Sequence, residues 1–346
     1  MPEKVLNDTN VYYLAADLNK WSPGDPSYRF NRKGSYLQLE IPFDDSLGFQ
    51  YKITRGSWMA GECDEDGYGA PNRNISARRD TMVFVKVLGW TDKVIRRHTS
   101  SPHVELLSDS FPMTALQSSC KIWIYLPPSY HRSNKHYPVI YMQDGQNLFD
   151  RATTAFGTEW KADETMDSII SAGKKEYIIV GISSGDDRLQ EYLPYNSRHI
   201  KSPRGKEYTK FMVSELLPYI DNHFRTLKGR DNRSIAGSSM GALISLYALL
   251  EYPDVFGSAG LFSGAYWVID DFDNIFIRDT GKKKLKVFLY AGDSEMKSLV
   301  SDTEKMKKAL AANPRIQVKT MYVKGGQHSE YFWQKPFLDF VLWNQQ

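Results

Sequence analysis

Gly237-Ser238-Ser239-Met240-Gly241 follows a short β-like run, Arg233-Ser234-Ile235-Ala236, and opens the apolar segment 242–250, which stops at Tyr252-Pro253. A strand, a G-x-S-x-G turn and a buried helix in that order form a nucleophile elbow, where a serine is held in a strained bend with its hydroxyl exposed. Ser239 is the expected nucleophile. Glycines on both sides of it leave room for the sharp turn and for close packing of strand on helix, where a Cβ would collide. The helix that begins just after Ser239 aims free N–H groups and a partial positive charge at the reaction centre, so the Met240 amide is an expected oxyanion donor.

A nucleophile elbow implies partners in the chain order Ser, then Asp or Glu, then His. His328 is the one histidine downstream of Ser239, in Lys324-Gly325-Gly326-Gln327-His328-Ser329-Glu330, a glycine loop after the strand-like run 319–323. It is the expected general base, and activity should fall as its imidazole is protonated. The acid that orients it should follow the strand ending Leu289-Tyr290-Ala291-Gly292, where Asp293 and Glu295 are equally placed by spacing. A second oxyanion donor is needed from the loop after an earlier strand. Met142-Gln143-Asp144-Gly145-Gln146-Asn147 supplies it, with Gly145 letting the chain turn so that the Gln146 amide points inward.

Around these motifs the pattern is of buried strands alternating with helices. Residues 120–126 and 138–142 read as strands, 177–182 and 285–290 are nearly continuous apolar runs, and 164–171, 207–222 and 302–312 read as helices. That alternation indicates a largely parallel sheet covered on both faces. With the elbow it predicts an α/β-hydrolase domain over residues 116–346. Residues 1–88 differ: Val11-Tyr12-Tyr13-Leu14 and the runs 36–41, 49–54 and 81–87 alternate apolar and polar side chains between turn residues, as in a small β-sandwich. Residues 89–115, with Arg96, Arg97, His98, Ser100, Ser101 and Pro102, read as a linker. Asp64-Glu65-Asp66-Gly67 lacks the further oxygen ligands of a calcium loop at their spacing and reads as a hairpin turn.

Composition bounds the function classes. The chain has 346 residues, enough for two domains, and a formal charge of +3 that gives no polyanion-binding signal, so nucleic acid is not an expected partner. Lys282-Lys283-Lys284 reads as a solvated turn before a strand. Cys63 and Cys120 fit neither a disulfide framework nor a metal cluster. No apolar run approaches a membrane span, and Met1-Pro2-Glu3-Lys4 lacks the pattern of a secretory signal, so the expected compartment is the cytoplasm unless a leader has been removed. Neither H-E-x-x-H nor a full phosphate-loop motif is present, and the expected chemistry needs no metal or organic cofactor. Oligomeric state is left open.

Two resemblances add to this. Leu18-Asn19-Lys20-Trp21-Ser22-Pro23-Gly24-Asp25-Pro26, with Phe49-Gln50-Tyr51-Lys52-Ile53-Thr54-Arg55-Gly56-Ser57-Trp58, resembles the immunoglobulin-like starch-binding modules of amylolytic enzymes. The resemblance implies Trp21 and Trp58 as candidate glycan platforms; the alternative is that both are core or interface aromatics. Over residues 116–346, the strings Ile124-Tyr125-Leu126-Pro127-Pro128-Ser129-Tyr130, Tyr137 through Asp150, Gly237-Ser238-Ser239-Met240-Gly241 and Gly325-Gly326-Gln327-His328-Ser329-Glu330 resemble the putative esterase family. That group, also called esterase D or enterochelin-esterase-like, includes feruloyl, acetylxylan and siderophore esterases and S-formylglutathione hydrolases.

Carried residue by residue, the resemblance places the family's serine on Ser239, its histidine on His328 and its oxyanion amides on Gln146 and Met240. The acid of its Gly-x-x-Glu/Asp string falls on Glu295, three after Gly292. The chain departs from many relatives in having Gln143 before Asp-Gly and Ala242 after Met240-Gly241. Glu159-Trp160, Arg188, Glu191-Tyr192 and Tyr266-Trp267 lie in loops after strands, where open α/β sheets bind ligands. Trp160 and Trp267 are candidate walls of an acyl pocket, and Tyr192 is a further candidate contact. Arg188 is a candidate for an anionic substrate group or for pairing with Glu191. The expectation is a serine carboxylic-ester hydrolase acting through an acyl-enzyme on a small or glycan-linked ester, feruloyl or acetyl. A siderophore trilactone is the alternative substrate, and a glycan-binding protein on an inactive scaffold is the alternative of another class.

Overall fold

The computed structural model describes residues 10–42, 48–76, 80–154, 157–185, 187–198, 200–270, 272, 283–296 and 298–346. The chain divides into two units, residues 1–98 with 155–157 and residues 99–154 with 158–346. Cys63 and Cys120 are buried and free. Lys282 lies outside the described residues. No described helix is long and apolar enough to cross a membrane.

The smaller unit is built from short strands: β1 (Tyr13–Ala16), β2 (Asn31–Lys33), β3 (Tyr36–Gln38), β4 (Phe49–Thr54), β5 (Glu62–Cys63), β6 (Arg73–Ile75) and β7 (Gly89–Trp90). They form a three-stranded antiparallel sheet, β1-β4-β6, and two antiparallel pairs, β2-β3 and β5-β7. Alternate residues of β1 and β4 point to one side, so Leu14, Ala16, Phe49, Tyr51 and Ile53 make a small core. Asp64 closes a turn by accepting from the Asp66 and Tyr68 amides at 3.0 and 2.9 Å. Residues 81–87, expected as a strand, belong to none of these sheets, and Met82 and Phe84 are 76 % and 87 % exposed. Met82-Val83-Phe84-Val85 is apolar at consecutive positions, so the run has no polar face to turn to water as a half-buried strand needs.

In the larger unit the strands are β8 (Val104–Met113), β9 (Ser118–Tyr125), β10 (Val139–Gln143), β11 (Ile178–Ile182), β12 (Arg233–Ser238), β13 (Ser258–Phe262), β14 (Leu285–Gly292) and β15 (Ile316–Val323). They form one eight-stranded sheet in the order β15-β14-β13-β12-β10-β11-β9-β8. The sheet is mixed: β8, β9 and β11 pair antiparallel, and β11, β10, β12, β13, β14 and β15 run parallel. The arrangement is that of an α/β hydrolase.

Two strands correct the expected layout. Residues 104–113, expected inside a linker, pair with β9 from Val104↔Tyr125 to Met113↔Ser118. As an edge strand with one wet side, this run carries Glu105, Ser108, Asp109 and Ser110, which mask its periodicity. β13 was not expected because Ser258-Ala259-Gly260 lacks branched side chains. The small residues are needed there, since a Cβ on Gly260 would lie 2.9 Å from the Phe340 ring.

The helix Met240–Glu251 is buried from Met240 to Leu250, and a helix apolar all round is a core helix. The in-register parallel strands end together, as Gly237↔Leu261, Phe262↔Tyr290 and Gly292↔Val323 show. The segments after β10, β12, β14 and β15 therefore share the carboxyl edge of the sheet.

Candidate active site

Ser239 sits between β12 and the buried helix with φ 56° and ψ −121°, a conformation that costs a non-glycine residue about 1–3 kcal/mol. Neighbouring backbone holds it there. Its amide donates to the Phe262 carbonyl at 2.9 Å, and its carbonyl accepts from the Leu243 and Ala265 amides at 3.2 and 3.1 Å. A Cβ on Gly237 would stand 2.7 Å from the Gly241 backbone and one on Gly241 would stand 3.0 Å from Gln143 Cβ, so the strand, the helix and the end of β10 can approach only through these glycines.

His328 and Glu295 meet at the same edge. His328 Nδ1 lies 2.6 Å from Glu295 Oε2, and the Glu295 side chain is fully buried while the imidazole is 44 % exposed. Glu295 Oε1 accepts from the Gly292 amide and from Ser263 Oγ, both at 2.8 Å, and Ser263 Oγ in turn accepts from Trp333 Nε1 at 2.9 Å. Both carboxylate oxygens are thus fixed. An imidazole that donates from Nδ1 to a carboxylate leaves Nε2 as an acceptor. Asp293, the other carboxylate at this strand end, accepts from the Gly325 amide at 2.7 Å and from Ser294 Oγ at 3.1 Å, so it holds the glycine loop instead of the imidazole.

The loop after β10 turns through Asp144, at φ 56°, into a single helical turn, Gly145–Asn147. Asp144 is gripped in two ways: its carboxylate receives Arg188 Nε and Nη2 at 2.6 and 2.7 Å, and its amide donates to Tyr192 Oη at 3.3 Å. Asn147 Nδ2 donates to the buried Glu330 at 3.1 Å. Neither the Gln146 nor the Met240 amide makes a backbone hydrogen bond among the described residues. Both follow the ends of adjacent strands, β10 and β12, at the carboxyl edge. Gln143 is buried behind the elbow, where it accepts from Tyr208 Oη at 2.6 Å.

Gly145 is the position where this loop tolerates least. A Cβ there would lie 2.6 Å from the Gly181 carbonyl carbon and 2.8 Å from its oxygen, all rigid backbone of β11. Gly145→Ala should cost about 1–3 kcal/mol and lower Tm by roughly 2–10 °C. By displacing the Gln146 amide it should also lower kcat about 100-fold or more. Thermal melts and turnover on one preparation check both.

The pocket candidates fare differently. Trp160 is 2 % exposed, with its ring 4.9 Å from Phe262 and 5.3 Å from Trp333, so it is a core anchor and not a pocket wall. Tyr192 is fully buried, supporting the Asp144 amide from behind. Arg188 is committed to Asp144 and stacks over Tyr192 at 5.0 Å; Glu191 accepts instead from the Gly185 amide at 2.6 Å. Trp267 is 41 % exposed. Ser263 and Trp333 lie outside every motif the sequence offers, and Asp144, Asn147 and Glu330, although inside the quoted strings, carried nothing there that marked them as supports.

In the smaller unit, Trp21 and Trp58 lie with ring centroids 6.4 Å apart, and Trp58 is 48 % exposed. Trp21 donates from Nε1 to Asp17 at 2.9 Å, and the other Asp17 oxygen accepts from the Gln50 amide at 2.7 Å. The pair belongs to the surface of its unit and not to the core of β1 and β4.

The family model described as "Putative esterase" matches residues 113–343. The uncharacterized protein YbbA of Bacillus subtilis (strain 168) is 25 % identical over 235 residues, 64 % of this chain and 90 % of that protein. An endo-1,4-beta-xylanase/feruloyl esterase of Xylanibacter ruminicola is 29 % identical over 176 residues, 50 % of this chain but 22 % of that longer protein. Among solved structures, a ferulic acid esterase superposes with a TM-score of 0.55 at 20 % identity, covering 70 % of this chain and 98 % of the other. The siderophore hydrolase EstA from Aspergillus nidulans does so with a TM-score of 0.53 at 18 % identity, covering 70 % and 93 %. At these identities the likeness to solved structures is one of fold.

Proposed function

This chain belongs to the Putative esterase family and is a carboxylic-ester hydrolase, and from that premise we propose that it works through an acyl-enzyme on Ser239. The observation that carries the proposal is the buried Glu295 bonded at 2.6 Å to His328 at the sheet edge that also bears the strained Ser239. Ser239 Oγ attacks the ester carbonyl carbon while His328 Nε2 takes its proton, and Glu295 stabilises the imidazolium that results. The Gln146 and Met240 amides receive the oxyanion. Collapse of the tetrahedral species expels the alcohol, which takes the proton back from His328. Water then attacks the acyl-enzyme with His328 as base, releasing the acid and restoring Ser239.

For the substrate, we propose a carbohydrate-linked ester, feruloyl or acetyl. Two observations support it. The relative from Xylanibacter ruminicola joins a feruloyl esterase to a xylanase in one protein. The smaller unit, read as an immunoglobulin-like module of the starch-binding type, presents the Trp21–Trp58 pair, whose faces suit stacking on sugar rings. Assay of methyl ferulate, acetylated xylan and a catecholate trilactone tests the choice. Turnover of the first or second with little of the third is expected; preference for the trilactone would move the substrate to a siderophore. On affinity gels containing starch or xylan, the protein should be retarded and Trp58→Ala should not. Equal mobility of the two on both gels would remove the glycan role of the pair.

A further inference from the structure

The N-terminal end of the helix Ala162–Ser171 gathers three carboxylates that the ester chemistry does not use. Glu159 and Asp163 are 1 % and 0 % exposed, and one oxygen from each of Glu159, Asp163 and Glu164 lies within 4.8 Å of the others. Two of its six oxygens are conventionally satisfied: Glu159 Oε1 accepts from Thr99 Oγ1 at 2.8 Å and Asp163 Oδ2 from the Ser101 amide at 2.6 Å. Three others are not. Glu159 Oε2, Asp163 Oδ1 and Glu164 Oε2 are buried with no donor from the surrounding protein, although the Asp163 and Glu164 carboxyls lie close enough to hydrogen-bond to each other when one is protonated. The Lys161 charge favours ionised Glu159, yet among the described residues no salt bridge from Lys, Arg or His reaches any of the three.

Crowded buried carboxylates of this kind need either protons or a cation, because each raises the cost of ionising the next. An unsatisfied buried carboxylate oxygen costs more than a neutral group in the same place. Oxygen donors alone suit hard cations and not the nitrogen- and sulfur-seeking metals. Two oxygens on opposite sides of a calcium ion are about 4.6–5.2 Å apart, against roughly 4.1 Å for magnesium. Three oxygens within 4.8 Å of one another can share either ion, with backbone oxygens or water completing the shell; calcium fits better because it accepts irregular carboxylate shells where magnesium demands a near-ideal octahedron.

We propose that Glu159, Asp163 and Glu164 form a structural binding site for a hard divalent cation, calcium by its tolerance of irregular oxygen shells, that clamps residues 99–101 to the start of the helix Ala162–Ser171. The clamp bears on the oxyanion turn through the backbone. The Trp160 amide donates to the Asn147 carbonyl at 2.9 Å and the Ala162 amide to the Leu148 carbonyl at 3.0 Å, while Gln334 Nε2 holds the Glu159 carbonyl at 2.9 Å. The site is separate from Ser239, His328 and Glu295 and leaves the ester chemistry free of metal.

The test uses the full chain, stripped with a chelator and dialysed, followed by calorimetric titration and thermal melts with calcium chloride and, separately, magnesium chloride. Calcium should bind with one site per chain and raise Tm by about 5 °C or more once in hundredfold excess over its Kd. Glu159→Gln and Asp163→Asn should each abolish the heat of binding and the Tm response. No heat and no Tm shift with either salt in the stripped protein would overturn the proposal and leave a proton-sharing cluster. An undiminished response in both variants would equally overturn the assignment to these residues. The unmodified chain decides the first question even where a variant folds poorly.

Discussion

Ser239→Ala should lower kcat on any ester the protein turns over by roughly 10⁴–10⁶-fold, because the acyl-enzyme has no other oxygen on which to form. Residual turnover would come from the oxyanion amides and substrate binding alone. The fold should survive the change. Ser239 is held by its own amide and carbonyl, bonded to Phe262, Leu243 and Ala265, and none of these bonds uses the hydroxyl. The variant should therefore keep its melting temperature within a few degrees and its KM within a few-fold while losing turnover. A variant with more than about a tenth of wild-type kcat, far above the effect expected of a nucleophile, would remove Ser239 from the mechanism.

Glu295→Gln should lower kcat by roughly 10²–10⁴-fold, whereas Asp293→Asn should change it less than about tenfold. The difference rests on hydrogen-bond polarity. Oε1 of Glu295 receives two donors, the Gly292 amide and the Ser263 hydroxyl, and the amide can only donate, so an acceptor must stand at that position. A glutamine must put its carbonyl oxygen at that position, which turns its NH₂ toward His328 Nδ1. The imidazole then accepts at Nδ1 and carries its proton on Nε2, the wrong tautomer for deprotonating Ser239. Asp293 accepts from the Gly325 amide and the Ser294 hydroxyl through Oδ1, and asparagine keeps an oxygen for both. Similar losses in the two variants would show that the loop, and not the imidazole partner, sets the rate.

What could be read in the chain and what could not follow from the range of the interactions involved. The elbow, the glycine loop of His328 and the turn at Gly145 are local: each needs glycine where backbones approach within a Cβ's reach, so the residue types mark the geometry. Spacing could not separate Asp293 from Glu295, since both leave the end of β14 within three residues of Gly292. What separates them is the Ser263 hydroxyl, which comes from the end of β13, a strand whose small residues hid it.

Trp160 looked like a pocket wall and Tyr192 like a substrate contact because they follow strands, but a large aromatic contributes most when fully buried, and both are buried here. Arg188 found Asp144, 44 residues away, through tertiary packing that no periodicity records. The edge strand β8 and the exposed run 81–87 were misread for opposite reasons: the first carries polar residues because one side faces water, and the second is apolar without a sheet to join.

Covalent labelling of the intact protein with a fluorophosphonate, read by mass spectrometry of the digested chain, tests whether Ser239 is the nucleophile and His328 its base. Attack of Ser239 Oγ on phosphorus expels fluoride and leaves the phosphonyl group on the serine, the same first step as acylation. One adduct per chain is expected, on the peptide containing Ser239, absent from Ser239→Ala and formed far more slowly in His328→Ala. A folded protein that takes no adduct, or takes it on a different serine, would contradict the assignment of Ser239 and His328 as nucleophile and base.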